Sequence, residues 1–518
     1  MKSFKVFVLL FITLMIRNSG AFAQLSEGDT MSFWSVTYID WPPLAGTPQH
    51  VIHATCDKVG QYCYIFRESS LPPFQQWQLD TLVHKFDYHF VPELTAVYGP
   101  LPDTLDNDPR VYILIHDEPD WCGYFDPAQQ MTDGFVYSTW GRHSSEHEII
   151  YIAASCFNSA VWITAHEFGH MLHSLQDHSP EPPSNPVMYW EEAWIDEGFS
   201  TFAAMYLTEN IFEPSVTDHS AFFSHNPDIP LIYFSNYNQV KLWTLFMFEH
   251  YGGWNYISAL ISNQLNGIAG MDSALRQINA PATFDEAFLH WSVTNFLDDS
   301  VFEGGKYSYN HYNFDSCVVT ATHNTYPTGV CTQSVKAFGT DYLCFDSPGP
   351  NPMIVSFSAA TNSEFRLAAI KMIAPSGYVT NIDYIIPDGD GNAIVNADSF
   401  GVAYNKLVLV VCSTDSSIHE GNSAAYAYFT ESTANIENLN PTAYAYLYPN
   451  PVKDVLNLHL PLSGKADICI YDLPGKEIYT SSAETGSISI DISKFKKGIY
   501  ILKYSNTAGT IYRKFIKE

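Results

Sequence analysis

The chain has 518 residues, 46% of them hydrophobic and 15% aromatic, with 25 Lys and Arg against 55 Asp and Glu for a formal net charge of −30. The length suffices for several domains, and the acidity excludes nucleic acid and anionic membrane as partners, because both call for basic patches. The charge is unevenly spread: Tyr448 to Glu518 holds 10 basic and 7 acidic residues, net +3, whereas everything before it is net −33, and a shift of that size marks a domain boundary.

At the start, Lys2 and Lys5 precede the apolar run Val6 to Ile16, and Ala21-Phe22-Ala23 before Gln24 has the small-x-small form of a signal peptidase site. Residues 1–23 are therefore expected to be a signal peptide, since the apolar run is shorter than the roughly 20 residues of a spanning helix. No other segment qualifies, so no transmembrane segment is expected after its removal, and the mature chain is expected to be secreted or held at the cell surface. Nine cysteines agree with an oxidising destination. Cys56 with Cys63, Cys122 with Cys156, Cys317 with Cys331 and Cys344 with Cys412 are candidate pairs, Cys469 being left over; spacing alone leaves the connectivity open.

Residues 24–305 read as an α+β region. A helical stretch from Gln75 to Tyr98 should kink or split at Pro92. Strands are expected near Arg110 to His116 and at Ile149 to Ala153. An apolar helix should begin at Asn158 or Ser159 and end at Asp177-His178-Ser179-Pro180, and a second helix fits Glu191 to Glu209. Further helices are expected over Val240 to Tyr251, ending at Gly252-Gly253, and over Phe284 to Leu297, with Phe288, Trp291 and Phe296 inward. From 306 to 440 short β-type runs such as Met353 to Phe357, Tyr384 to Ile386 and Lys406 to Cys412 predict a β-sandwich, followed by a linker at Asn435 to Pro441. Residues 441–518 alternate apolar and polar at Val455 to Leu460, Ile468 to Tyr471, Ile488 to Ile492 and Ile499 to Tyr504, with a turn at Leu473 to Lys476; about seven strands of a small Ig-like β-sandwich are expected.

The chemistry concentrates at His166-Glu167-Phe168-Gly169-His170, followed 27 positions later by Glu197 in Trp194-Ile195-Asp196-Glu197-Gly198-Phe199. Residues four apart share a helix face, so both imidazoles can point at one zinc ion while Glu167 flanks the same spot. Three protein ligands leave a fourth place for water, and a neighbouring carboxylate can take its proton as it attacks a carbonyl. Glu191 and Glu192 are alternative third ligands, although an acidic first turn also stabilises a helix N-terminus. His173 returns to nearly the same face as His166 and reads chiefly as packing or support for a ligand. An oxyanion donor is expected among Tyr189, Tyr206 and His178. Asp106-Asn107-Asp108 and Asp388-Gly389-Asp390-Gly391-Asn392 offer oxygens for structural calcium, while such clusters ordinarily make surface turns.

The His-Glu-x-x-His pattern with a later Asp-Glu-Gly-Phe resembles the gluzincin metallopeptidases, and the layout is similar to their secreted hyicolysin-like branch. The resemblance implies a zincin-type α+β domain with His166, His170 and Glu197 as zinc ligands and Glu167 as general base. Asp196 stands where the family commonly has Asn. The longer metzincin pattern fails, since it needs Gly where His173 stands and His where Gln176 stands. Tyr448-Pro449-Asn450-Pro451, Asp472-Leu473-Pro474-Gly475-Lys476, Lys497-Gly498-Ile499-Tyr500 and Lys514-Phe515-Ile516-Lys517 resemble the C-terminal sorting domain of the Bacteroidetes type IX secretion system. This implies that the secretion machinery is a partner and that the chain crosses the periplasm and outer membrane. The combined expectation is a secreted zinc metalloendopeptidase acting on extracellular proteins or peptides, with the strand at Ile149 to Ala153 aligning the substrate. The alternative is a catalytically inactive zincin-fold surface adhesin or glycan-binding protein.

Overall fold

The computed structural model describes residues 24–37, 46–101, 105–106, 108–118, 121–176, 191–208, 220–312, 314–361, 363–432, 446–460, 465–472, 476–483, 486–506 and 509–518. The expected signal peptide, the 435–441 linker, Asn107, His178 and Tyr189 lie outside the described residues. Packing divides the chain into two units, one of Met1–Trp190 with Ala203–Thr208 and one of Glu191–Phe202 with Glu209–Glu518.

The first unit is built on a six-stranded sheet of β1 (Thr30–Val36), β2 (Gln49–Val59), β3 (Cys63–Glu68), β4 (Val111–His116), β5 (Gly123–Phe125) and β6 (Ile149–Ala153), in the order β1-β2-β3-β4-β6-β5. β3, β4 and β6 run parallel, and the remaining pairs are antiparallel. Every residue of β4 and β6 is buried. That explains why their sequences, Val-Tyr-Ile-Leu-Ile-His and Ile-Ile-Tyr-Ile-Ala, are unbroken apolar runs with no polar alternation. The expected Gln75 to Tyr98 helix is split into α1 (Gln76–Lys85), a π-helical turn at Phe86–Phe90 and α2 (Val91–Tyr98), with Pro92 in the first turn of α2. A proline there lacks an N–H and crowds the preceding turn, and the wider π turn relieves both. The connection after β5 carries α3 (Asp133–Trp140). A 3-10 segment at Ala154–Ser159 then leads from β6 into α4 (Ala160–Gln176), which packs on α1, α2, β5 and β6. α5 (Ala193–Thr208) contributes residues to both units.

The second unit opens with α6 (Ser220–His225), α7 (Tyr237–His250), α8 (Trp254–Ile261), α9 (Gly267–Gln277) and α10 (Phe284–Leu297). Gly252 and Gly253, both at positive φ, separate α7 from α8 as expected. Phe288 and Trp291 are buried in α10, whereas Phe296 is only half-buried, stacked on Tyr342. Packing groups these helices with the strands that follow them. The reason is that α10 rests on the strands that follow it: Ser292 shares a hydrogen bond with Thr340 at 2.9 Å, and the Tyr342 hydroxyl donates to the Ser292 carbonyl at 2.7 Å.

The sandwich itself holds β7 (Ala321–His323), β8 (Cys331–Lys336), β9 (Thr340–Asp346), β10 (Met353–Ala359), β11 (Phe365–Ile373), β12 (Tyr378–Ile385), β13 (Asn392–Ala397), β14 (Lys406–Ser413) and β15 (Ser423–Ser432). Its sheets have the orders β13-β10-β15-β8 and β12-β11-β14-β9-β7. Between them lie Val355, Phe357, Leu367, Leu409 and Tyr426 among other apolar side chains. The tail is seven further strands, from Tyr446–Tyr448 to Gly509–Lys517, in sheets of three and four. Leu456, Leu458, Ile468, Ile470, Leu502 and Tyr504, two apart along their strands, fill its core. No helix among the described residues is long and apolar enough to cross a membrane.

Of the expected disulfides only Cys122–Cys156 is formed, and the other seven cysteines are free. Strand register separates the rest. Cys412 faces Thr340, four residues from Cys344, which is roughly 13 Å of strand; Cys56 faces Phe66 rather than Cys63. Cys317 is held by a backbone bond to Asn295 near the end of α10, and Cys331 begins β8.

Candidate metal centre

The active-site candidates begin on α4, whose middle is buried on all sides: His166, Glu167, Phe168, Gly169 and His170 are all buried. One helical turn brings the Nε2 atoms of His166 and His170 to 3.1 Å from each other, with the rings edge to face. Zinc–nitrogen bonds of about 2.0–2.1 Å at a tetrahedral angle would space two ligand nitrogens by roughly 3.3 Å, so the pair fits one ion without rebuilding the helix. Trp162, one turn earlier, stacks on the His166 ring at 5.2 Å and 14° and so limits its rotation. Glu197 on α5 completes a group whose ligand atoms all lie within 4.8 Å of one another. Among the described residues no other set of three or more His, Cys, Asp or Glu converges in this way.

The competing acids are committed elsewhere. Glu191 Oε1 accepts from the backbone N–H groups of Glu192 and Gly267, both at 2.8 Å, and Glu192 Oε2 accepts from the Trp194 indole at 2.6 Å. Both residues precede the first turn of α5, whose acidic residue is Asp196, so their carboxylates are held by Gly267 at the start of α9 and by the Trp194 side chain. His173 is buried but stands outside the group, as does Asp196. Tyr206 lies nine residues beyond Glu197 on α5, roughly 13 Å of helical rise, and burial raises its hydroxyl pKa.

The calcium candidates are likewise engaged. Asp388 Oδ1 closes its own turn by accepting from Asp390 N at 3.0 Å and Asn392 N at 2.9 Å. Asp106 accepts from His147 at 2.8 Å, while Asp108 holds Tyr64 at 2.6 Å and Arg110 at 2.8 Å.

The strand beside the helix differs from expectation. β6, at Ile149–Ala153, is hydrogen-bonded on both edges, to β4 and to β5, and so has no open edge to offer a substrate. The end of the sheet is β5. Its first residue, Gly123, runs against α4: a Cβ there would sit 2.3 Å from Ile163 Cγ2 and 3.4 Å from Glu167 Oε1. Gly123 and Trp162 are the site residues that sequence reasoning missed. Neither carries a motif, and a glycine's value here comes from what it leaves empty.

Comparison with known proteins bears on the tail. No curated protein matches the chain. An immunoglobulin-like β-sandwich protein of Bacteroides vulgatus matches at 21% identity over 15% of this chain and 86% of its own, with a TM-score of 0.14. The pre-peptidase C-terminal domain of a Bacillus anthracis collagenase matches at 14% identity over 23% of this chain and 100% of its own, with a TM-score of 0.17. A Faecalibacterium prausnitzii β-glucuronidase matches at 12% identity over 36% of each chain, with a TM-score of 0.16. Scores this low carry no argument. Residues 446–518, by contrast, match the secretion system C-terminal sorting domain, so the chain carries a type IX sorting tail that marks it for export to the outer-membrane surface or beyond.

Proposed function

We propose that this chain is a secreted zinc-dependent metalloendopeptidase that hydrolyses peptide bonds of extracellular proteins. The observation that supports this best is the pair of imidazole nitrogens 3.1 Å apart on α4 with Glu167 between them in sequence. His166, His170 and Glu197 would hold the ion, and zinc, when bound, supplies Lewis acidity toward the scissile carbonyl and the attacking water. Glu167 takes the proton of that water and returns it to the leaving amine. Burial of α4 around these residues excludes bulk water and strengthens each electrostatic interaction. An extended substrate is aligned by backbone hydrogen bonds along β5, the strand that ends the sheet beside Glu167.

The test is casein hydrolysis by the purified chain, with and without chelator, followed by zinc repletion. Chelation should abolish activity and zinc restore it, and Glu167→Gln should keep zinc while losing roughly 10²- to 10⁴-fold in rate, the usual worth of general-base catalysis. Hydrolysis that survives chelation, or near-normal turnover by Glu167→Gln, would sink the mechanism. Zinc bound without any hydrolysis would favour the inactive adhesin.

A further inference from the structure

We propose that the Cys122–Cys156 disulfide and Gly123 form a positioning clamp that sets β5 against Glu167, so that the peptidase becomes fully competent only after its chain is oxidised. The inference rests on the peptidase reading above and adds to it a structural device and a condition. Cys122 immediately precedes β5, and Cys156 lies in the 3-10 segment that runs directly into α4. The bond therefore ties the start of the outermost strand to the base of the helix that carries His166, Glu167 and His170. At its middle β5 is anchored by Tyr124, whose ring stacks on Tyr151 at 4.2 Å and whose hydroxyl lies 3.1 Å from Ser35 Oγ, so the bond acts on its first residues. The strand pairs with β6 over three residues only, Gly123 to Phe125, extended by one bond from the Ala153 N–H to the Cys122 carbonyl at 2.8 Å.

The approach of β5 to the helix is also unusually close. A Cβ on residue 123 would lie 2.3 Å from Ile163 Cγ2 and 3.1 Å from the Tyr151 carbonyl, so only glycine lets the strand settle at this depth. The same position lies beside Glu167 Oε1, so the depth of the strand sets where an aligned peptide meets the general base. A displacement of about 1 Å there is enough to cost up to 10²-fold in rate. Cys122 is exposed and Cys156 half-buried, so the bond is open to exchange, in contrast to the five free cysteines that are fully buried. Formation is balanced by an exchange partner of the export compartment. The two thiols lose two protons and two electrons as the S–S bond forms, and the partner's disulfide accepts them to become a dithiol.

The experiment compares oxidised wild type, wild type reduced with a phosphine, Cys122→Ser/Cys156→Ser and Gly123→Ala. For each, zinc per chain, helical circular dichroism, free thiols, and kcat and KM on an extended peptide are measured. The affinity of the same peptide is also measured in a Glu167→Gln background, where it is not turned over. Expected are unchanged zinc and helix content, about tenfold or greater loss in peptide affinity and kcat/KM without the bridge, and recovery on reoxidation of wild type but not of the serine variant. Gly123→Ala should show the same loss with its bridge intact. Bridge-free protein that keeps zinc and stays within twofold of oxidised wild type overturns the clamp while leaving the peptidase reading standing. Loss of zinc or helix on mild reduction also overturns it, since the bond then serves folding alone. Absence of zinc-dependent hydrolysis in oxidised wild type overturns both readings.

Discussion

Glu167 and Glu197 are assigned different work although both are acids beside the same histidines, and the difference is open to measurement. Glu197 belongs to the converging group, whereas the carboxylate of Glu192 is spent on Trp194. Glu197→Ala should therefore purify with sharply reduced zinc and Glu192→Ala with normal zinc; the reverse pattern in metal analysis would reassign the third ligand. A second residue-scale effect concerns His116 at the end of β4. Its ring is fully buried against Trp121 and Tyr151, and neither ring nitrogen has a hydrogen-bond partner. Burial lowers its pKa from 6.5 to about 4. Between these values the unfolded chain binds a proton that the folded chain refuses. The stability associated with a neutral His116 is thus complete above pH 6.5 and is lost as pH falls through about 4, on the order of 3 kcal/mol in all. His116→Phe keeps a ring in the site without the titration. Chemical denaturation at pH 7 and pH 4.5 should show a smaller acid loss in the variant, and equal losses would refute this account.

At the scale of elements, α10 carries the clearest local code. Thr283 accepts from the Glu286 N–H, and Glu286 returns the bond to the Thr283 N–H at 2.8 Å, a reciprocal capping box. Thr283→Ala should cost about 1 kcal/mol in a denaturant titration, with zinc content unaffected because the cap's bonds run only between Thr283 and Glu286. Loss of zinc in that variant would mean that α10 supports the metal centre. Pro92 shows the complementary case, in which a residue that cannot continue a helix is accommodated by a change of helix type rather than by a loop. Sequence marks the interruption at Pro92; the surrounding packing, with Phe86 and Phe90 both buried, keeps the chain turning through it.

At the scale of the molecule, the basic tail and the acidic remainder have separate roles. The tail encloses its own apolar core, so removing it need not unfold the rest. Deleting Tyr448 to Glu518 should leave zinc-dependent hydrolysis intact in the purified chain while the protein accumulates in the periplasm of its native host. Fractionation that finds the truncated chain outside the cell would show that the match to a sorting domain does not govern export.

The sequence by itself determines what is local and chemical. Two histidines four residues apart state that both imidazoles share one helix face, because four residues make about one turn. Apolar alternation in the tail states its strands because side chains alternate across a sheet. The composition shift near Tyr448 states a boundary because charge is counted along the chain. Only the tertiary structure decides what depends on distant residues meeting. Register, not spacing, leaves Cys344 and Cys412 apart, and Cys122 and Cys156 are joined across 34 residues. The order of strands buries β6 on both edges and leaves β5 as the end of the sheet. Packing of α10 on β11 and β14 groups that helix with the sandwich strands. Gly123 matters for a side chain it lacks, which is a property of Ile163 and Glu167 approaching it, and no reading of residue 123 alone contains that.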